Sequence, residues 1–177
     1  MTSTPSSTPL GSTPPSSGPD TTTDQATADL WDERGETLQS VDLPFLDLGG
    51  RTRFSGPVRT VRCRNDNALV KSTLASPGDG AVLVVDGGGS MHTALMGDMI
   101  AASAVENGWA GVIINGPVRD RTALAELPLG VKALGSNPRK SAKDGAGEVD
   151  VPVTIDDVVF RPGATVWADE DGIVVER

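Results

Sequence analysis

Two short apolar runs constrain this chain more than anything else in it: AVLVVD at 81–86 and WAGVIIN at 109–115. Each has the length of a strand and is rich in β-branched residues. Neither alternates with polar residues, as expected of strands covered on both faces. Between them, GDMIAASAVENG reads as one helix, with Gly97 at its entry and Asp98 in its first turn. Met99, Ile100 and Val105 are expected to turn inward, and Gly108 to stop the helix. Strand, helix and strand of these lengths make a β-α-β unit with parallel strands. The loops leaving both strands then share one rim, the carboxyl edge, where open α/β sheets bind ligands.

The rest of the chain arranges itself around that unit. Residues 1–23 contain 18 Ser, Thr or Pro, a composition that cannot bury a core and is expected to be a disordered tail. One domain is expected over 26–177. It begins with TADLWDERGETLQ, which has the spacing of a short amphipathic helix with an Asp or Thr start signal. After Gly49-Gly50, RTRFSGPVRTVRCR reads as a strand through Val58, Val61 and Cys63, and NALVKSTLAS (67–76) as a short helix stopped at Pro77-Gly78. Beyond Pro152 the pattern turns to hairpins: VPVTI and VVF around Asp156-Asp157, then ATVWA and GIVVE around ADEDG. The fold class is α/β, a parallel β-α-β centre with antiparallel hairpins at the C-terminal end.

The second strand runs into Asn115-Gly116-Pro117, read as a turn, and then presents Arg119 and Asp120 side by side. A strand needs neither charge, and neighbours in an extended chain point to opposite faces. At the shared rim they meet the free N–H groups of Gly97, Asp98, Met99 and Ile100. A helix N-terminus offers unpaired donors and a positive dipole end to a carboxylate. Arg119 adds a planar fork for the same anion. Asp120 repels an anion but can hold a hard divalent cation that the anion also ligates. The set describes a site for a small oxyanion chelating a metal, such as a 2-oxo acid.

Other motifs carry less. GGGSMH lacks the Gly-Lys-Ser/Thr of a phosphate loop and, with His92 in the last place, fails GxGxxG; its glycines read as close packing round a pocket. His92 reads as a loop residue, ADEDG as a hairpin turn, the basic cluster NPRKSAKDG (137–145) as a solvated loop and Cys63 as a small core residue. No lysine stands where a Schiff-base mechanism would suggest itself.

One cysteine and one histidine exclude a disulfide within the chain and any multi-Cys or multi-His metal site, leaving oxygen ligands and hard ions such as Mg²⁺ or Mn²⁺. A net charge of −9 argues against nucleic acid as a direct partner, because phosphate contacts need a positive footprint. No run approaches 18 apolar residues and the N-terminus lacks an apolar leader, so no membrane span or secretory signal is expected and a cytoplasmic location is the default.

From about Ala26 onward, GGRTRFSGPVRTVRC, VLVVDGGGS, GWAGVIINGPVRD, LGVKALGSNPRKS and ADEDGIVV resemble, in order, the family of the regulator of ribonuclease activity A and the 4-hydroxy-4-methyl-2-oxoglutarate aldolases, the RraA-like proteins. The resemblance implies a swivelling β/β/α-type domain assembled as a homotrimer, with sites at subunit interfaces. It also implies two functions, and one pattern separates them: an acid, twenty residues, then Arg-Asp. Here Asp98, twenty residues and Arg119-Asp120 match the aldolases. By that resemblance Gly97–Ile100 bind the substrate carboxylate, Arg119 contacts substrate, Asp120 ligates the metal and Asp98 orients a water or proton-transfer group. It implies cleavage of 4-hydroxy-4-methyl-2-oxoglutarate to pyruvate, with oxaloacetate decarboxylation alongside. The alternative it implies is a non-catalytic trimer that inhibits an endoribonuclease. The aldolases also use an acid near the C-terminus of a neighbouring subunit, for which Glu176 and Asp171 are the residues available.

Overall fold

The computed structural model of the chain describes Met1, Ser3 and residues 25–177. The expected tail at 1–23 therefore falls, apart from Met1 and Ser3, outside the described residues. Four strands form a parallel core: β3 (Phe54–Arg62), β4 (Val82–Asp86), β5 (Gly111–Val118) and β6 (Gly130–Ser136). They stand in that order in the sheet. β10 (Thr165–Asp169) extends it antiparallel from β3, followed by β11 (Gly172–Glu176) and then β1 (Leu38–Ser40). The two-residue strand β2 (Leu46–Asp47) closes the edge beside β6, and β7 (Glu148–Val149) pairs with β3. β8 (Val153–Ile155) and β9 (Val158–Phe160) make a separate hairpin.

The continuous apolar runs are explained by cover on both faces. Leu83 and Val85 of β4, with Val112 and Ile114 of β5, pack in the core that contains Ala101 and Ala104 of α3 (Asp98–Glu106) and Val70 and Leu74 of α2 (Ala68–Leu74). Val82, Val84 and Ile113 face the other way, into a core shared with the hairpin residues Ile155 and Phe160. The expected β-α-β centre and both C-terminal hairpins are present. Cys63 is buried, and burial, with Asp66 and Asp86 nearby, pushes its thiol up to about 12, so it behaves as the inert core residue expected.

Three expectations need correction. Gly116-Pro117 is not a turn: β5 runs through it to Val118, with a register irregularity between Ile114 and Pro117 that accommodates the missing N–H. Met99 does not turn inward and is 82 % exposed, because the packed face of α3 is the one carrying Ala101 and Ala104. The first helix, α1, spans only Thr27–Arg34; a single turn at Gly35–Thr37 follows, and Leu38 leaves the helix to pair with Glu176. The sequence pattern also missed α4 (Arg121–Glu126) and β6. In β6 the pattern is broken by Lys132, which is nonetheless only 1 % exposed, its Nζ bonded to Asp47 Oδ1 at 2.7 Å and to the carbonyl of Asp169 at 2.5 Å.

Neither start signal caps α1, whose N-cap is Ala26. Thr27 instead reaches across to the β10–β11 turn, donating its backbone N–H and hydroxyl to the two carboxylate oxygens of Asp169 at 2.7 and 2.6 Å. Burial by itself pushes the Asp169 carboxyl up. These two bonds and those from the amides of Asp171 and Gly172 overcome it and hold the group below the usual carboxylate range. A carboxyl lowered on folding stabilises the native state above its unfolded value, about 3.9, and that contribution is lost as pH falls through the folded value. Thr27→Val should therefore cost about 1.5–3 kcal/mol in urea unfolding at neutral pH. The gap from the unsubstituted chain should narrow in acid, below about pH 4. A gap independent of pH would mean that the hydroxyl does not act through the Asp169 charge.

Candidate active site at the carboxyl rim

After β4 the chain makes a tight glycine turn in which the Gly88 N–H bonds Asp86 Oδ1 at 2.9 Å. It then returns along the rim. There Leu95 donates to the carbonyl of Pro117 at 2.9 Å, and Arg119 donates to the carbonyl of Met96 at 3.0 Å. This stitch lays Gly97 directly against Arg119 and Asp120. A Cβ at Gly97 would lie 2.6 Å from Asp120 Oδ2 and 3.2 Å from both Cγ and Nε of Arg119. Backbone angles do not require glycine here, since φ is −131°; the close approach does.

Asp120 answers why two opposite charges stand side by side. Its backbone is left-handed, φ 60° and ψ 42°, so the chain turns and the two side chains do not diverge. Its Oδ2 lies 3.5 Å from Arg119 Nε and accepts the Asp98 N–H at 3.4 Å. Asp120 precedes α4 yet makes no side-chain cap on it. The carboxylate serves the start of α3, a different helix. That long, partly exposed pair contributes little stability by itself.

At the start of α3 the Met99 N–H bonds Asp98 Oδ1 at 2.8 Å, and Ala101 is the first residue to pair back, with the carbonyl of Gly97. Gly97, Asp98, Met99, Ile100 and Arg119 line one cavity of about 290 Å³. Asp120 lies on the far side of Arg119, in an adjacent cleft with Arg121 and Asn137. The six residues singled out by sequence thus come together, with Arg119 as the wall common to both spaces.

No three His, Cys, Asp or Glu side chains cluster among the described residues. A site for soft or histidine-bound metals is therefore not what the residues fit. Asp120 offers one carboxylate, with the backbone N–H of Asp98 against its Oδ2; a hard divalent ion held there would keep several waters and complete its shell with substrate oxygens. His92 does not line the cavity; both its ring nitrogens face Arg139 Nη1, at 2.8 and 2.9 Å. Glu176 is committed within its own chain to the Thr165 N–H at 2.9 Å and Arg34 at 3.3 Å. The Asp171 N–H closes the β10–β11 turn on Asp169, and neither acid lines the cavity.

Sequence reasoning missed part of what lines the cavity. Asn67, Lys71, Lys140 and Lys143 line it, so lysines do stand at the site. Two of them, Lys140 and Lys143, were hidden because 137–145 read as a solvated loop; most of its side chains are exposed, but its backbone is pinned. Asn67 donates to the carbonyl of Ala142 and Ala142 to that of Asn65, while the buried Ser141 hydroxyl bonds the carbonyl of Ala94 at 2.7 Å. Only the Asn65–Asn67 and Ala94 partners, distant in sequence, reveal this.

An RraA-like family model, described as Aldolase/RraA, matches residues 27–175. Among solved structures, the chain is similar to an S-adenosylmethionine: 2-dimethylmenaquinone methyltransferase from Geobacillus kaustophilus, at 47 % identity over 86 % of this chain and 94 % of that one, TM-score 0.85. It is similar to the RNA-processing inhibitor RraA from Thermus thermophilis, at 48 % identity over 86 % and 93 %, TM-score 0.84. An unusual member of the RNase ES inhibitor RraA protein family from Streptomyces coelicolor matches at 34 % identity over 84 % and 76 %, TM-score 0.65.

The contact at Gly97 is directly testable. Gly97→Ala should fold normally, with unchanged circular dichroism, because alanine adopts the same backbone angles. Its methyl displaces the Asp120 carboxylate, so affinity for a divalent cation or small carboxylate, read by calorimetry, should fall roughly tenfold, the worth of one charge-assisted contact. Unchanged affinity would separate Gly97 from the site.

Proposed function

Because the chain belongs to the RraA-like (Aldolase/RraA) family, we propose that it is a divalent-metal-dependent carbon–carbon lyase acting on 2-oxo acids. In this proposal it cleaves 4-hydroxy-4-methyl-2-oxoglutarate to pyruvate and decarboxylates oxaloacetate as a secondary activity. The observation that carries the reading is the convergence of Asp98, Arg119 and Asp120 on Gly97, within 3.5 Å of one another through Asp120 Oδ2. A protein acting only by surface contact has no use for a glycine that lets a cation ligand touch a helix N-terminus.

The amides at the start of α3, those of Asp98 and Met99 leaving their carboxylate contacts to do so, receive the substrate carboxylate, favoured by the positive end of the helix. Arg119 grips an oxyanion with its fork and fixes the plane of the 2-oxo group. Asp120, with Mg²⁺ or Mn²⁺ as the fitting ions, holds the cation; when bound, it supplies Lewis-acid stabilisation of charge developing on the 2-oxo oxygen. Asp98 stands at the cavity edge, where its carboxylate can orient the water that carries a proton.

Met99 at 82 % exposure and Met91 at 41 % leave apolar surface at the rim. In a homotrimer a neighbour would cover such surface and close the cavity, and light scattering of the full chain should accordingly give three times the monomer mass. The second reading, inhibition of an endoribonuclease by protein contact, is favoured by the names that two of the similar structures carry. Methyl transfer is disfavoured: the glycine turn at 87–89 does not open a helix, since α3 begins only at Asp98.

Pyruvate release from 4-hydroxy-4-methyl-2-oxoglutarate and oxaloacetate, with and without Mg²⁺ or Mn²⁺, tests the enzyme reading. Asp120→Asn should abolish the metal-dependent rate with the fold intact. Arg119→Lys should lower turnover by roughly 10²–10³, as for a lost oxyanion donor. Asp98→Asn should slow turnover while leaving metal affinity closer to wild type. Wild-type activity in all three variants, or none in the unsubstituted chain with any divalent ion, would leave the inhibitor reading in its place.

A further inference from the structure

The short segment that leads into Gly97 is held from two sides. On one side lies the end of β5, bonded to Leu95 and Met96. On the other lies the basic strap 137–145. The Ala94 N–H donates to the carbonyl of Arg139 at 2.8 Å, and Ala94 forms a short parallel bridge with Lys140. The carbonyl of Ala94 in turn accepts the Ser141 hydroxyl at 2.7 Å. The strap itself has a firm base. The buried Asp66 carboxylate takes the N–H groups of Asp144 and Gly145 at 2.7 and 3.1 Å, and that of Ala68 at the start of α2 at 2.9 Å.

Proton counting gives the hydroxyls beside Ala94 a direction. Each carries one proton. Ser141 spends its own on Ala94, so across the 2.8 Å contact with Thr93 it is Thr93 that donates. Asn65 Oδ1, 3.3 Å from the Thr93 hydroxyl, is then served by the Ser90 hydroxyl at 3.0 Å. The relay runs from Thr93 to Ser141 to the Ala94 carbonyl, and a hydroxyl that accepts a bond donates a stronger one. Thr93 and Ser141 are 6 % and 8 % exposed, so water is a poor substitute for either. Ser141 also lines the cavity, but with its proton committed to Ala94 it acts on the site through the backbone.

We infer that Ser141, oriented by Thr93, is a positioning residue for Asp120: it fixes where the segment from Ala94 to Gly97 lies across the rim, and hence how the Asp120 carboxylate is presented. The inference rests on the reading that Asp120 holds a divalent cation. Gly97 is the link. A Cβ there would stand 2.6 Å from Asp120 Oδ2, so the bare backbone is the surface the carboxylate rests on. The Asp98 N–H reaches the same oxygen at 3.4 Å, already long for a hydrogen bond, and a small shift of the segment away from β5 loses it.

Titration of the full chain with Mn²⁺ alone, followed by the spin-resonance signal of the free ion, measures that presentation. Ser141→Ala should weaken Mn²⁺ binding about threefold, the scale of one hydrogen bond. Thr93→Val, which keeps the bond from Ser141 to Ala94, should weaken it less, and Thr93→Ser should restore the unsubstituted affinity. The decisive comparison is Ser141→Ala made in the Gly97→Ala background. There the added methyl has already displaced the carboxylate, so the second substitution should cost no further affinity, whereas a hydroxyl that merely supports the fold would weaken binding by the same factor in both backgrounds. Should Ser141→Ala fail to fold by circular dichroism, Ser141→Cys, of similar size with a weak donor, carries the same comparison. Unchanged affinity in the single variant, or an equal loss in the two backgrounds, would overturn the inference while leaving the cation site standing. No Mn²⁺ binding by the unsubstituted chain would overturn both.

Discussion

The site depends on one piece of main-chain pairing. Ala94–Met96 lies beside the end of β5, Leu95 donating to Pro117 and Arg119 to Met96, while Ala94 donates to the carbonyl of Arg139 on its other side. That stitch brings the start of α3 to the end of β5, although Asp98 and Asp120 are 22 positions apart. It requires β5 to run on past Gly116, and it gives the Pro117 carbonyl a partner where the proline has no N–H to offer. It also leaves no room at Gly97 for a side chain. Without it, Arg119 and Asp120 would be two charges on a loop.

Four aspartates illustrate how structure separates acids that hold the fold from acids free to act. Asp66 and Asp169 are buried, at 3 % and 2 % exposure. Burial pushes each carboxyl up, and donated hydrogen bonds more than reverse it: four backbone amides for Asp66, and Thr27 with the Asp171 and Gly172 amides for Asp169. Their hydrogen-bonding capacity is spent on neighbouring backbone, one fastening the basic strap to α2 and the other fastening α1 to the C-terminal hairpin. Asp98 and Asp120 are partly open and lightly bonded, so their carboxylates are not saturated by neighbouring backbone. Saturation of the carboxylate, more than its presence at the rim, distinguishes the two roles.

The cations divide in a similar way. Lys132 is buried and engaged by Asp47 and the Asp169 carbonyl, so its charge supports the packing of the β6 edge. Lys71, Lys140 and Lys143 are exposed over a backbone held by hydrogen bonds. Fixed backbone with free charge is the arrangement expected of a recognition surface, because ligand binding then orders few groups.

The sequence by itself determined the parallel centre, the C-terminal hairpins and the identity of the rim residues. Apolar β-branched runs of strand length, glycine stops and helix-entry acids act over a few residues and leave their mark in local order. The spacing from Asp98 to Arg119-Asp120 was legible for the same reason, as one helix and one strand fill it. Only the tertiary structure decided the rest. The outward turn of Met99, the continuation of β5 through Pro117, the burial of Lys132 and the basic strap each depend on a partner far away in the chain. Ala142 finds Asn65, Lys132 finds Asp169 and Gly97 finds Asp120 through long-range hydrogen bonds and close packing. No periodicity encodes those meetings, because the energy that selects them exists only once the sheet has brought the partners together.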